Sequence, residues 1–145
     1  MILHTASEGV SFAKKLESDA AGFYEELARR HAPGAETFLN FAKENRKNIT
    51  QVERAYYGVI TDALEGCFAF NIETDNYTLP TALADGASGA EGIKQAIEIE
   101  KTTVAFYTEA AEQSKSLMAD VPRTFMLVTR KREKRLAQLE ELLGG

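Results

Sequence analysis

The sequence predicts an all-α fold, a bundle of four long helices arranged as two antiparallel hairpins joined by a long crossover. Three observations support this prediction. Apolar residues recur every three or four positions over four segments, residues typical of helix caps precede these segments, and one connection is much longer than the other two. A chain of 145 residues, of which 44% are hydrophobic, can bury one core but is short for two. We therefore expect a single domain over residues 1–145.

The first hairpin is predicted from its caps and its apolar spacing. Thr5 and Glu8 have the spacing of a capping box, and Pro33 with Gly34 is typical of a turn between helices. These signals predict helices over about 6–31 and 35–63. The apolar residues suited to one buried face are Val10, Ala13, Leu16, Ala20, Phe23 and Leu27 in the first helix, and Phe38, Phe41, Ile49, Val52, Tyr56 and Val59 in the second.

The second hairpin is predicted in the same way. Ser88 and Glu91 form another capping box, and Asp120 with Pro122 is typical of the start of a helix. These signals predict helices over about 89–116 and 121–143. The apolar residues on their buried faces are Ile93, Ala96, Ile97, Val104, Tyr107 and Ala111 in the third helix, and Phe125, Val128, Leu136, Leu139 and Leu143 in the fourth.

The crossover, about 65–87, is rich in Gly, Asn, Asp and Pro, so continuous helix is not expected there. It is long enough to return along a helix of about 37 Å. It also carries apolar residues, and we expect it to pack along the bundle with a helical turn near residues 81–84. These apolar residues are Phe68, Phe70, Ile72, Tyr77 and Leu79.

The two hairpins carry an internal repeat with polar residues inside it. Glu17 is followed by Phe23 and Tyr24 with the same spacing as Glu100 by Phe106 and Tyr107, 83 positions later. Helical spacing places six polar residues within the buried stripes: Glu17, Asn45, Asn48, Glu100, Arg132 and Arg135. One interpretation is that some of them lie at stripe edges and reach solvent. Because burial of unpaired charge is costly, we favour the other, a central layer in which the glutamates and arginines are partners.

Glu100 and Lys101 are followed, after four residues, by Phe106 and Tyr107. With this pattern the sequence resembles the ferritin-like superfamily, and within it the rubrerythrin type. Glu17 to Phe23 and Tyr24 repeats it less fully. The resemblance spans all four predicted helices. It implies a left-handed four-helix bundle with a carboxylate-bridged di-iron centre.

The ligands implied by the resemblance are one Glu from the first and third helices and Glu-x-x-His from the second and fourth. Glu17 and Glu100 match the single glutamates. Asn45 and Asn48 stand where the second helix should supply Glu and His, and Arg132 and Arg135 stand where the fourth should. Glu44 and Glu133 are one position away, about 100° around the helix, and so cannot simply replace the missing ligands.

These departures lead to the hypothesis of a degenerate di-iron site. Two carboxylates facing two guanidinium groups sum to zero charge, as four carboxylates around two divalent metals do. We expect Arg132 and Arg135 to hydrogen bond with Glu17 and Glu100, the two asparagines to satisfy leftover groups, and Tyr24 and Tyr107 to donate to the same layer. This predicts no metal, no cofactor and no catalytic residues, in a binding or structural protein.

The alternative hypothesis is a metal-dependent oxidoreductase or peroxidase, or an iron-binding protein, of the rubrerythrin family. It would hold iron or manganese through Glu17 and Glu100 with Glu44 or other carboxylates. The metal content of the purified protein distinguishes the two hypotheses.

Composition excludes several other classes. One cysteine makes neither an intramolecular disulfide nor a thiolate zinc site and favours a cytoplasmic location. No apolar run approaches the roughly 20 residues that span a bilayer, so we expect no membrane partner. A net charge of −5 argues against nucleic acid as a partner.

The remaining expectations concern surfaces. The basic run 130–135 is interpreted as a solvated helix face, although with Lys43, Arg46 and Lys47 it leaves a weak anionic ligand as an open alternative. We expect a homodimer that uses one helix face and the crossover aromatics. No other partner or ligand is predicted.

Overall fold

The computed structural model of the chain describes residues 1–59, 68–114 and 120–144, and these residues are mostly helical. They contain four long helices and one small sheet. In chain order the elements are β1 (Ile2–Thr5), α1 (Ala6–Arg30), α2 (Ala35–Val59), β2 (Phe68–Glu73), a single 3₁₀ turn (Thr74–Tyr77), α3 (Gly89–Ser114) and α4 (Asp120–Gly144). The parts of the predicted helices at 60–63 and 115–116 lie outside the described residues.

Local signals start two of the helices. At α1 the Thr5 hydroxyl accepts from the Glu8 N–H at 3.1 Å, and the Glu8 carboxylate accepts from the Thr5 N–H at 3.0 Å. Ser88 and Glu91 make the same pair of bonds at α3, at 3.1 and 3.5 Å. Each box satisfies N–H groups that have no partner inside the helix, so both capping boxes predicted from the sequence are present.

The turn between α1 and α2 contains a glycine in a conformation that other residues rarely adopt. Gly34 has a φ angle of 86°, in the left-handed region where a side chain is strained. The Ala35 N–H donates to the Ala32 carbonyl at 3.1 Å across this turn. The short connection turns the chain back on itself.

Contacts between helices establish their directions. Lys14 pairs with Glu53 and Glu25 with Arg46, so α1 and α2 run antiparallel. In α3 and α4, Glu100 pairs with Arg132, and the Tyr107 ring lies tilted against that of Phe125 at 5.4 Å between ring centroids, so these helices are antiparallel too.

Contacts between the two hairpins show that α1 and α3 also run antiparallel. Glu17 on α1 meets Tyr107 on α3, and Tyr24 meets Glu100. Because α2 and α3 both run against α1, they are parallel to each other. The connection between them therefore returns along the length of the helices.

The sequence predicted no strands, and the structure corrects this. β1 pairs antiparallel with β2, with Ile2 opposite Glu73, Leu3 opposite Ile72 and Thr5 opposite Phe68, and the register shifts between Leu3 and Thr5. Along β2, Phe70 and Ile72 are buried whereas Asn71 between them is exposed, which is the two-residue period of a strand. Among the apolar crossover residues, Phe70 and Ile72 pack on the bundle from this strand, and Tyr77 and Leu79 pack on it from the residues that follow.

The predicted helical turn near residues 81–84 is also wrong, because the turn lies at Thr74–Tyr77. Tyr77 anchors it, with its ring 5.5 Å from that of Phe106 and its hydroxyl donating to Glu109 at 2.9 Å. Residues 81–84 have no regular secondary structure, and side chains from two helices bind this stretch: Arg30 donates to the Ala84 carbonyl at 2.7 Å, and Gln95 donates to the Ala82 carbonyl at 2.9 Å.

The outer side of β2 is met by a side chain from α3. The Asn71 N–H donates to the amide oxygen of Gln113 at 2.7 Å, and the Gln113 amide nitrogen donates back to the Asn71 carbonyl at 3.4 Å. A side-chain amide thus makes the paired bonds of a neighbouring strand.

Two apolar clusters fill the interior. The first lies toward β1 and β2 and includes Leu3, Val10, Leu16, Val52, Ile72, Phe106 and Phe125. The second lies toward the α1–α2 turn and includes Ala20, Phe23, Leu27, Phe38, Phe41, Ile99 and Leu139. Within the described parts of the chain, no helix combines the length and the apolarity that crossing a bilayer requires.

Candidate functional site

The six polar residues predicted to face inward are all buried within the helices, with relative exposures of 0 or 1%. They are Glu17 on α1, Asn45 and Asn48 on α2, Glu100 on α3, and Arg132 and Arg135 on α4. Small residues one turn away, Ala13 and Ala20 around Glu17 and Ala96 before Glu100, are themselves fully buried. They leave room between the helices for the long arginine side chains.

Arg132 joins the two glutamates. Its Nη1 donates to both carboxylate oxygens of Glu100, at 2.6 and 2.8 Å, and its Nη2 donates to Oε2 of Glu17 at 2.5 Å. All three side chains have 0% exposure. One guanidinium group therefore bridges carboxylates from α1 and α3 in a space without bulk water.

Arg135 connects this bridge to α2. Its Nη1 donates to Oδ1 of Asn45 at 2.6 Å and to Oε1 of Glu100 at 3.1 Å. Its Nη2 donates to the Phe41 carbonyl at 3.3 Å and to Glu44 at 2.7 Å. The guanidinium carbon also lies 4.6 Å from the centre of the Phe41 ring, close enough for a cation–π contact.

Two tyrosines complete the bonds to the carboxylates. The Tyr107 hydroxyl donates to Oε1 of Glu17 at 2.8 Å, and the Tyr24 hydroxyl donates to Oε1 of Glu100 at 2.6 Å. Every carboxylate oxygen of Glu17 and Glu100 thus accepts at least one hydrogen bond. This is the arrangement that makes a buried charge tolerable.

The asparagines differ in how far they are satisfied. Asn45 donates to the Glu17 carbonyl at 3.1 Å and accepts from Arg135, as expected. Asn48 accepts from Lys131 at 3.5 Å, but its Nδ2 is buried without a hydrogen-bond partner in the described ranges. The Nε atoms of Arg132 and Arg135 are likewise buried without a hydrogen-bond partner among the described residues. The expectation for the asparagines therefore holds for Asn45 and only partly for Asn48.

The network favours an ionised Glu100 and neutral tyrosines. Burial raises the pKa of Glu100, but Arg132 and Arg135 outweigh this effect and hold that pKa below its ordinary value. Burial lowers the pKa of Arg132, whereas Glu100 and Glu17 raise it, with a net result well above the usual range. Burial and the neighbouring carboxylates raise the pKa of both Tyr24 and Tyr107 well above their ordinary value.

Sequence reasoning missed one member of the network, Glu44. It lies about 100° around α2 from Asn45 and is 39% exposed, so the expectation that it does not face inward is sound. The long side chain of Arg135 nevertheless reaches outward to it. The length of arginine was the signal available in the sequence.

The arrangement of these side chains differs from that of a metal-binding site. Among residues 1–59, 68–114 and 120–144, no group of three or more His, Cys, Asp or Glu side chains is placed to hold a metal ion. The glutamates are also engaged by cationic guanidinium groups, which compete with a metal for the same oxygens. Chemically, the network can hold four helices in one register.

The comparisons with known proteins give no relative. No protein-family model matches the chain, and neither a curated protein nor a solved structure matches it.

Proposed function

We propose that this chain is a ferritin-like protein of the rubrerythrin type whose di-iron site has been replaced by a salt-bridged core, and that it acts as a non-catalytic binding or structural protein. The observation that carries the proposal is the contact of Arg132 with both Glu17 and Glu100, the two residues at the positions of the family's single-Glu ligands. The double hairpin with its parallel crossover supports the same assignment.

The residues in the core do not fit a di-iron centre. A metal at this point would have to displace Arg132 from both carboxylates and leave a guanidinium group buried without partners. Removal of one partner of a buried ion pair typically costs about 3–5 kcal/mol. The Asn45 amide does not supply the negative charge of the Glu implied at its position, and the Asn48 amide does not supply the ring nitrogen of the His implied at its own.

Metal content tests the proposal directly. The protein is purified from cells grown with added iron and manganese, and metals are measured by inductively coupled plasma mass spectrometry. We expect far less than one metal ion per chain, and a melting temperature that does not change with chelator. Near-stoichiometric iron or manganese would overturn the proposal in favour of the metal-dependent oxidoreductase that uses Glu17, Glu100 and Glu44.

A second experiment tests the geometry of the ferritin-like assignment. The variant Asn45→Glu, Asn48→His, Arg132→Glu, Arg135→His restores the ligand set that the resemblance implies. We expect it to bind about two Co²⁺ ions per chain, read from visible absorption bands, while the natural chain shows no such bands. A variant that is helical by circular dichroism yet binds no cobalt contradicts the assignment.

We also propose a homodimer that uses one helix face, as first expected, but without the crossover aromatics Phe70 and Tyr77. Phe70 and Tyr77 of the crossover are buried within the chain, at 5 and 8% exposure, and so are not available to a partner. Sedimentation equilibrium tests the oligomeric state, and a monomer at every concentration would contradict the proposal.

A further inference from the structure

Seven cationic side chains lie on the outer sides of α2 and α4, two helices that pack against each other. We call this surface the basic face. It consists of Lys43, Lys47 and Arg54 on α2 and Arg123, Arg130, Lys131 and Lys134 on α4. All are exposed except Lys131, which is partly buried.

Helical spacing and one contact make these residues a single surface. On α2, positions 43, 47 and 54 follow at intervals of four and seven, so they share one side of the helix. On α4, positions 123, 127, 130 and 134 follow at intervals of four, three and four, so they also share one side. The Lys131 ammonium on α4 donates to the side chain of Gln51 on α2 at 3.1 Å, and Gln51 lies between Lys47 and Arg54 on the same side. The two rows of cations are therefore neighbours.

The charges on the basic face are not neutralised by the chain. Within the described residues none of the seven cations forms a salt bridge, and the hydrogen-bond partners of Lys131 are the neutral amides of Asn48 and Gln51. Two acidic residues border this face: Glu44 on α2 is paired with Arg135, and the exposed Glu133, which precedes Lys134 on α4, forms no salt bridge with these cations in the described residues. By contrast, Lys14 and Lys15 on α1 both have carboxylate partners, at 3.3 and 2.7 Å. In a chain with a net charge of −5, this is a local concentration of positive charge.

Two apolar side chains protrude among these cations. Met126 and Leu127 are 38 and 47% exposed, and they lie between Arg123 and Arg130 along α4. Apolar side chains flanked by Lys and Arg suit the boundary of a lipid bilayer. There the apolar side chains enter the acyl region, and the Lys and Arg side chains reach the phosphates. Nucleic acid would use the charges but not the protruding Met126 and Leu127, and the basic face contains no aromatic ring on which a base could stack.

We propose that the basic face binds the surface of an anionic lipid bilayer as a peripheral contact. Such a contact needs no spanning helix, so it revises our expectation of no membrane partner, which considered only apolar runs. The proposal uses no residue of the buried network and is independent of the proposed function.

Vesicle binding by the full chain tests this. We use flotation with vesicles of phosphatidylcholine alone or with about 30% phosphatidylglycerol, at low and high salt. We expect binding only to the anionic vesicles and a loss of binding at high salt. Lys47→Glu with Lys134→Glu should weaken binding by at least about tenfold, and Leu127→Ser should weaken it at constant charge.

The matched control is Lys94→Glu with Lys101→Glu. Both lysines are exposed on α3, and this variant changes the net charge of the chain by the same amount. It should keep at least half of the binding, and circular dichroism verifies that each variant is folded. The proposal is wrong if anionic vesicles are not bound, if duplex DNA is bound in their place, or if the control loses as much binding as the variant of the basic face.

Discussion

The hydroxyl group of Tyr24 on α1 donates a hydrogen bond of 2.6 Å to the Glu100 carboxylate on α3. The equivalent tyrosine of the second hairpin, Tyr107, donates to Glu17 on α1 at 2.8 Å. Each half of the internal repeat therefore supplies the tyrosine that binds the glutamate of the other half. The buried charges therefore depend on both hairpins at once.

Replacement of Arg132 should be among the most destabilising changes in the protein. Arg132→Ala leaves Glu17 and Glu100 buried with fewer partners, and we expect the free energy of unfolding to fall by about 3–5 kcal/mol. Urea denaturation followed by circular dichroism measures this loss. The control is Arg130→Ala, an exposed arginine on the same helix, which should change stability by less than about 0.5 kcal/mol. Similar losses in the two variants would rule out a salt-bridged core.

The two tyrosines should not be equivalent. Oε1 of Glu17 accepts from Tyr107, whereas Oε1 of Glu100 accepts from Tyr24, Arg132 and Arg135. Tyr107→Phe should therefore cost more than Tyr24→Phe, with losses of about 1.5–3 kcal/mol expected for a hydrogen bond to a charged group. Urea denaturation of both variants tests the order. The reverse order would mean that Arg132 and Arg135 do not compensate Glu100 for the loss of the hydrogen bond from Tyr24.

Acid should destabilise the protein partly through Glu100. Its folded pKa lies below the ordinary value of 4.5, so between these two values the unfolded state binds a proton that the folded state does not. The stability from Glu100 is thus fully present above about pH 4.5 and is lost as the pH falls through the folded pKa. Urea titrations over this range should show a weaker pH dependence for Glu100→Gln. Glu98→Gln, at an exposed position on α3, should keep the natural dependence, and an unchanged profile for Glu100→Gln would contradict the linkage.

Two glycines of α1 offer a matched test of packing. A Cβ at Gly9 would collide with the Phe70 ring of β2, whereas a Cβ at Gly22 meets nothing within 4 Å. We expect Gly9→Ala to lower stability by about 1–3 kcal/mol through overpacking. Gly22→Ala should raise stability by up to about 1 kcal/mol because alanine favours the helix. Thermal melts measure both, and a neutral Gly9→Ala would show that β2 can move away from α1.

Local and periodic features were predictable from the sequence. The capping boxes at Thr5 and Ser88 depend on residues three positions apart, and the inward positions of Glu17 and Glu100 follow from helical spacing and the repeat. The buried layer could be inferred because its members recur at matched positions in the two hairpins. None of these inferences required knowledge of distant contacts.

Features that depend on distant contacts were not predictable in this way. β1 has only four residues, and its partner β2 lies about 70 positions along the chain, so neither strand carries a strong signal alone. The non-helical path of residues 81–84 is held by Arg30 and Gln95, which belong to other elements. The contact of Arg135 with Glu44 depends on how far a flexible side chain extends between helices.

The bonds between Gln113 and Asn71 also determine how the small sheet ends. An unprotected strand edge presents N–H and C=O groups that can pair with a strand of another molecule. The Gln113 amide occupies both groups of Asn71, the exposed residue of β2, and so removes the point where a further strand would begin to pair. A single glutamine on α3 thereby occupies two of the backbone groups through which a strand of another molecule could pair, and so disfavours edge-to-edge pairing at Asn71.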